Sequence, residues 1–172
     1  MKHDYSFRSG ALCLRPLEKQ DIEALRLLRN RPENRIWFFG SEPITKDGQL
    51  AWYERYLTRK DDYMFCVTLP EAPERFVGAV AVYDYDAQTD SFEVGRLLLD
   101  SSNLPRRGLG IELIRCLCEL AGTVWGNVGL RAQIFSDNER SLRCFVQNDF
   151  EITGTAMEKG REVLLLSRRI CK

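Results

Sequence analysis

The stretch Phe92-Glu93-Val94-Gly95-Arg96-Leu97-Leu98-Leu99-Asp100, followed after two serines by Asn103-Leu104-Pro105-Arg106-Arg107-Gly108-Leu109-Gly110-Ile111-Glu112-Leu113-Ile114, decides how the chain is read. Its first part, with Phe92, Val94 and Leu97-Leu98-Leu99 apolar, reads as a buried strand. Its last part opens a pattern in which Ile111, Leu113, Ile114, Leu117, Leu120 and Ala121 recur at helical spacing. Between them lie Gly108 and Gly110. A strand, a glycine turn and a helix start place unpaired backbone N–H groups where an anion can sit. Glycine tolerates the backbone angles of such a turn and lets a ligand approach. The turn lacks the Lys-Ser/Thr of a Walker loop, because Ile111-Glu112 follows Gly110. It also lacks the third glycine of a dinucleotide fingerprint, because position 113 is Leu. An ordinary glycine turn capping a core helix and a pyrophosphate loop both remain open on this motif alone.

A second segment narrows the choice. Ser136-Asp137-Asn138-Glu139-Arg140-Ser141-Leu142-Arg143-Cys144-Phe145-Val146-Gln147-Asn148-Asp149-Phe150 follows the strand-like run 129–134. It resembles the Asn-x-x-Ser/Ala-x-x-x-Tyr-x-x-x-Gly-Phe signature of the GNAT superfamily of N-acetyltransferases, with Asn138, Ser141 and Phe150 in register. Gly108 and Gly110 are similar to that family's Gln/Arg-x-x-Gly-x-Gly/Ala loop. Phe92-Glu93-Val94-Gly95 resembles its fourth strand. The two signatures lie about 30 residues apart, which fits a helix, a strand and short loops. Toward the N-terminus, 12–17 resembles an opening "Leu-Arg-Pro-Leu" strand. Leu28-Arg29-Asn30-Arg31-Pro32-Glu33-Asn34-Arg35-Ile36-Trp37 resembles the "Arg-Asn-x-Pro-x-x-Arg-x-Trp" of aminosugar-nucleotide and ribosomal-protein acetyltransferases.

The 172 residues are 44% hydrophobic and 29% charged, an ordinary globular composition expected to form one domain over 1–172. Lys plus Arg and Asp plus Glu both number 25. A nucleic-acid binder would carry a basic excess, so no nucleic-acid partner is expected. No apolar run approaches the ~20 residues of a membrane span, and the N-terminus lacks a signal-peptide core. Six cysteines without a Cys-x-x-Cys and a single histidine, His3, argue against zinc, so no metal is expected. Reduced thiols in the cytoplasm are the expectation. Four of the cysteines interrupt apolar or helical runs as small hydrophobes do.

The periodicities predict strands at 12–15, 64–69, 76–83, 91–99, 129–134, 152–156 and 163–170. They predict helices at 19–28, 45–57, 108–121 and 139–148. Thr45 is the expected cap of the second helix, with Leu50, Tyr53 and Leu57 on its repeating face. Arg31-Pro32 should break the first helix. The order β-α-α-β-β-β-α-β-α-β-β gives a mixed sheet of about seven strands flanked by helices. The resemblance makes it a mostly antiparallel GNAT-like sheet.

The resemblance further implies acetyl-coenzyme A as co-substrate, held where the fourth and fifth family strands splay. The backbone of Leu97, Leu98 and Leu99 would pair with the pantetheine arm, their side chains being core. The N–H groups of Arg107, Gly108, Leu109 and Gly110 would take the pyrophosphate, with Arg106 and Arg107 adding charge and Asn138 and Ser141 adding contacts. Glu93 is either the base that deprotonates the amine, through water, or a solvent-facing strand residue paired with an arginine. Ser141 is either a donor toward the leaving thiolate through water or a cofactor contact. The acceptor side falls to Arg29, Arg31, Arg35, Trp37 and Phe38. These arginines beside aromatics suit a phosphate-bearing amine such as a nucleotide-linked aminosugar, or form a basic helix end beside core aromatics. A protein N-terminus or a polyamine is the other acceptor, and a monomer or homodimer is expected. Two departures stand out. Pro105 has no N–H where the family has Gln or Arg. Phe145 cannot donate a proton where many relatives carry tyrosine. These two motivate the alternative of a non-catalytic acyl-coenzyme A-binding or interaction module.

Overall fold

The computed structural model describes residues 2–40 and 42–171. Eight strands form one sheet: β1 Phe7–Ser9, β2 Leu12–Pro16, β3 Asp62–Thr68, β4 Gly78–Asp86, β5 Ser91–Leu99, β6 Gly129–Phe135, β7 Glu151–Glu158 and β8 Arg161–Arg169. Their order in space is β1-β2-β3-β4-β5-β6-β8-β7. Every neighbouring pair is antiparallel except β5 and β6. Five α-helices accompany the sheet: α1 Ile22–Asn30, α2 Pro32–Arg35, α3 Lys46–Thr58, α4 Leu109–Val124 and α5 Glu139–Val146.

The order of elements follows the sequence reading, with three corrections. The eighth strand, β1, is three residues long and pairs antiparallel with β2 across a turn in which Gly10 has φ +57°. Three residues give no readable alternation. The Arg31-Pro32 break is real, since Arg31 leaves α1 with an extended ψ of 132°. Proline then serves as the first residue of the short helix α2, the position it favours. The third correction concerns the face of α3. Thr45 caps the helix as expected, its Oγ1 accepting from the Gly48 amide at 3.0 Å. Yet Leu50 and Leu57 are exposed, and the buried face is Gln49, Tyr53 and Tyr56. This helix carries large side chains all round, so periodicity did not select the face. The tyrosines win because their rings fill the space under the sheet, and the Tyr56 hydroxyl accepts from the Met64 amide at 3.2 Å.

Helix α4 lies at the centre of the larger apolar cluster. Leu113, Ile114, Leu117 and Leu120 are at most 1% exposed, and such burial contributes roughly 1.5–3 kcal/mol per side chain. A second cluster packs α1 and α3 on the other face of β3, β4 and β5 through Leu25, Leu28, Tyr53, Met64 and Ala81. The sheet is therefore covered on both faces.

The feature that positions the site is a parting in the sheet. β5 and β6 pair only at Ser91–Glu93 against Gly129–Arg131. Beyond Glu93, β6 stays with β8 as far as Phe135 against Val163. β5 stays with β4, where the register shifts between Ala79 and Ala81. Arg96 adopts a left-handed φ of 51° within this irregular stretch. The two halves of the sheet separate like an opening hinge, and α4 starts nearby.

Candidate active site

The parting creates a cleft of about 480 Å³. One wall is β5 from Glu93 to Leu99. The other is the end of β6 with Asn138, Ser141, Cys144 and Phe145 around α5. Gly110 stands at the foot and Trp37, Phe38 and Phe39 at the roof.

The foot is built by glycine. Gly108 caps α4 with φ +88°. The amides of Ile111 and Glu112 both turn back to the Gly108 carbonyl, at 3.1 and 3.4 Å. The amides before them belong to the first turn, which has no acceptor within the helix. A Cβ at Gly110 would stand 2.8 Å from Cys144 Sγ, so only glycine lets α4 and α5 approach this closely. Asn148 fastens that approach by donating to Ile111 O at 2.9 Å and Cys144 O at 2.8 Å. Asn138 caps α5, its Oδ1 accepting from the Ser141 amide at 3.1 Å. The Ser141 hydroxyl has no protein partner among the described residues and lines the cleft.

Glu93 sits where β5 and β6 part. Tyr83, its cross-strand partner on β4, donates its hydroxyl to Glu93 Oε1 at 2.8 Å. Gln133 on β6 donates to Oε2 at 3.3 Å. Burial first, and then the Glu93 charge, push the Tyr83 phenol well above its ordinary range, so it remains a donor at neutral pH. The Arg96 guanidinium lies over the Tyr83 ring at 4.2 Å and grips the buried Asp62 carboxylate at 2.7 and 3.1 Å. Glu93 is thus held by neutral donors and is not the partner of an arginine. Tyr83, Gln133 and Arg96 have no mark in the sequence because they meet Glu93 or its partner only once the strands are assembled.

The roof is strapped down from β8. Arg161 donates to Ile36 O at 2.8 Å and to both oxygens of Asp137, at 2.8 and 3.0 Å. Its guanidinium covers the Phe135 ring at 3.7 Å and approaches Trp37 at 5.4 Å. Lys159 donates to Phe39 O at 2.6 Å. No local signal marks these partners, which are more than a hundred positions apart from the roof.

The expected arginine cluster is dispersed. Arg31 lines the cleft but is committed to Asp100 at 2.7 and 3.0 Å. Arg31 first, with Ser102 and Asn103, holds that carboxyl well below its usual range. Arg35 lines neither this cleft nor the cavity beside it. Arg106 is drawn to Glu112, whose other oxygen accepts from the Ala11 amide, and so serves α4 itself. Arg107 is exposed, and the Leu109 side chain is core, at 1% exposure. Arg106, Arg107, Gly108 and Leu109 do not line the cleft, whereas Leu97, Leu98, Leu99 and Gly110 do. Arg29 stacks on Phe38 at 3.5 Å and donates to Gly40 O at 2.6 Å. Burial pushes it down to about 10, so it remains charged at neutral pH.

These features meet a family that matches most of the chain: the domain described as "Acetyltransferase (GNAT) domain" covers residues 11–151. The chain belongs to the GNAT acetyltransferase family. Among solved structures, this GNAT chain is similar to the spermidine N-acetyltransferase from Vibrio cholerae in complex with CoA and spermine. The identity is 16% and the TM-score 0.82, over 94% of this chain and 97% of that one. A probable acetyltransferase of the GNAT family from Chromobacterium violaceum matches at 18% and 0.80, over 97% and 87%. An aminoglycoside acetyltransferase in complex with coenzyme A matches at 20% and 0.76, over 92% and 95%. At such identities the likeness concerns the fold. No curated protein sequence matches this chain. No helix among the described residues is long and apolar enough to cross a membrane, and no cluster of His, Cys, Asp or Glu among them is arranged to hold a metal ion.

Proposed function

We propose that this GNAT protein transfers an acetyl group from acetyl-coenzyme A to a primary amine of a small molecule. The observation that carries this reading is the parting of β5 from β6 at Glu93, which leaves the β5 backbone from Val94 to Leu99 without a strand neighbour on that side. The start of α4 and the Glu93–Tyr83 pair flank the opening. An extended pantetheine arm takes the place of the missing strand along Leu97, Leu98 and Leu99. The pyrophosphate lies on the first amides of α4, at Gly108, Leu109 and Gly110, with Arg107 beside it. The helix dipole adds roughly 0.3–1 kcal/mol there.

An alkylammonium has a pKa of about 10.4, so attack requires its deprotonation. Glu93, fixed by two donors, takes that proton through a water. The amine then attacks the thioester carbonyl, the C–N bond forms and the C–S bond breaks. The backbone N–H near Leu97 holds the oxyanion. The acetylammonium nitrogen gives up its second proton to the departing thiolate, directly or by way of the unpartnered Ser141 hydroxyl. Phe145 takes no part, since its ring is 2% exposed and packs edge-on against Phe150 at 4.9 Å. Neighbours named as spermidine and aminoglycoside acetyltransferases support a small-molecule amine as acceptor. The six free thiols support a reducing compartment such as the cytoplasm.

Glu93→Gln is expected to slow thiol release by roughly 10²–10⁴-fold while acetyl-coenzyme A affinity, read by calorimetry, holds. An unchanged rate across pH removes Glu93 from the role of base. Phe145 and Pro105 favour one rival, an acyl-coenzyme A-binding module without turnover. It predicts stabilisation by acetyl-coenzyme A and no thiol release with any amine.

A further inference from the structure

Beside the cleft, on the other side of Arg29, lies a second cavity of about 490 Å³ between α1, α3 and the sheet. Arg29, Phe38, Arg96 and Leu98 line both, so the two spaces meet along those residues. The body of the second cavity is apolar, with Leu25, Ile44, Trp52 and Met64 among its walls. Four polar side chains break that surface; Thr45 takes the Gly48 amide and Arg96 holds Asp62, which leaves Gln49 and Arg29. Gln49 is 4% exposed, and its side-chain amide makes no hydrogen bond among the described residues. Arg29 Nη1 is fully enclosed and has no partner among them.

Arg29 differs from its neighbours in this respect. Arg15, Arg26, Arg31 and Arg96 each hold a carboxylate, on Asp21, Glu23, Asp100 and Asp62. Arg29 forms no ion pair among the described residues, and no carboxylate lines the second cavity. An enclosed cation without a counter-ion is costly, and an unpaired donor in an apolar wall costs more than an exposed one. An anionic group brought to the part of Arg29 that lines the junction supplies the missing counter-charge. A polycation meets the opposite situation: a positive junction and no acidic residue beyond it. A sugar nucleotide would bring a diphosphate to a junction where only one guanidinium lacks a carboxylate, because Arg96 is paired with Asp62 and Arg31 beside it with Asp100.

Resting on the acetyl-transfer reading, we propose that the acceptor is an α-amino acid with a large, mainly aromatic side chain. Its carboxylate sits on Arg29 at the junction. Its amine, one carbon away, faces the cleft that holds Glu93. Its side chain fills the second cavity, with a polar tip such as a phenol on the Gln49 amide. Gln49 and Arg29 are then specificity residues, and the Gln49–Tyr53–Tyr56 face of α3 supplies the first of them.

Matched acceptors test each contact separately, with thiol release as the readout. L-Tyrosine against tyramine isolates the carboxylate, L-tyrosine against L-phenylalanine isolates the Gln49 contact, and L-tyrosine against glycine isolates the cavity. Spermidine and ribostamycin represent polycations. In kcat/KM, L-tyrosine should exceed tyramine by about 10- to 100-fold, the worth of a charge-assisted hydrogen bond, and should exceed both polycations. Arg29→Met should collapse the tyrosine-to-tyramine ratio toward one, while Arg29→Lys keeps it above one. Gln49→Leu should bring L-phenylalanine level with L-tyrosine. Equal use of L-tyrosine and tyramine by the unaltered protein, or preference for spermidine or ribostamycin over every amino acid, overturns this inference and leaves acetyl transfer standing. Thiol release from no amine at all overturns acetyl transfer, and this assignment falls with it.

Discussion

The closeness of α4 to α5 can be tested by adding one methyl group. In Gly110→Ala the new Cβ would lie 2.8 Å from Cys144 Sγ, about 1 Å inside an optimal separation of about 3.5–4.0 Å. Neither side yields easily. Cys144 is 8% exposed with its thiol on Arg140 O at 3.2 Å, and Asn148 ties the two helices together. Overpacking of this kind costs roughly 1–3 kcal/mol. Alanine returns less than about 1 kcal/mol of helix propensity, because position 110 is in the first turn. The net expectation is a loss of about 1–2 kcal/mol in urea denaturation. Calorimetry should also show acetyl-coenzyme A affinity reduced about tenfold, since the displaced turn carries the phosphate-facing amides. Cys144→Ala removes the obstructing sulfur. The double variant should therefore regain stability and affinity relative to the sum of the singles, with a coupling of about 1–2 kcal/mol. Strict additivity, or a Gly110→Ala protein as stable as the parent, would refute the argument that glycine is there to admit α5.

Two further perturbations follow from the ties around the cleft. The Asp100 carboxyl lies below its usual 3.8 in the folded protein. Its contribution to stability is therefore complete above about pH 4 and is lost as pH falls further, where the unfolded chain binds the proton first. Asp100→Asn should cost about 1–2 kcal/mol at pH 7, toward the lower end because Arg31 is partly exposed. It should also flatten the acid side of the stability profile; an acid limb of unchanged steepness would show that other carboxylates dominate it. Arg161→Met cuts the strap to Ile36 and Asp137. It should change global stability by less than about 1 kcal/mol yet speed amide hydrogen exchange in residues 36–40 and raise acceptor KM. Unaltered exchange there would mean that Lys159 and Arg29 alone hold the roof.

Local sequence determined much of this protein. Alternation and helical spacing placed seven of the strands and the four longer helices. Thr45 announced its helix start, and Arg31-Pro32 announced a break, because caps and proline act within a few residues of themselves. Gly108 marked the turn before α4, and Gly110 its first turn, for the same reason. What tertiary structure alone decided is the opening between β5 and β6, since both are strands by pattern and nothing within either says where the pair stops. It also decided which charges are spent. Arg31 finds Asp100 sixty-nine positions away, Arg96 finds Asp62, and Arg29 finds no carboxylate. On paper Arg29 and Arg31 look alike, and α3 could have turned any of several large side chains inward. Pairing and packing at a distance, which no local period encodes, chose Gln49 for the cavity wall and left the Arg29 guanidinium beside it without a carboxylate.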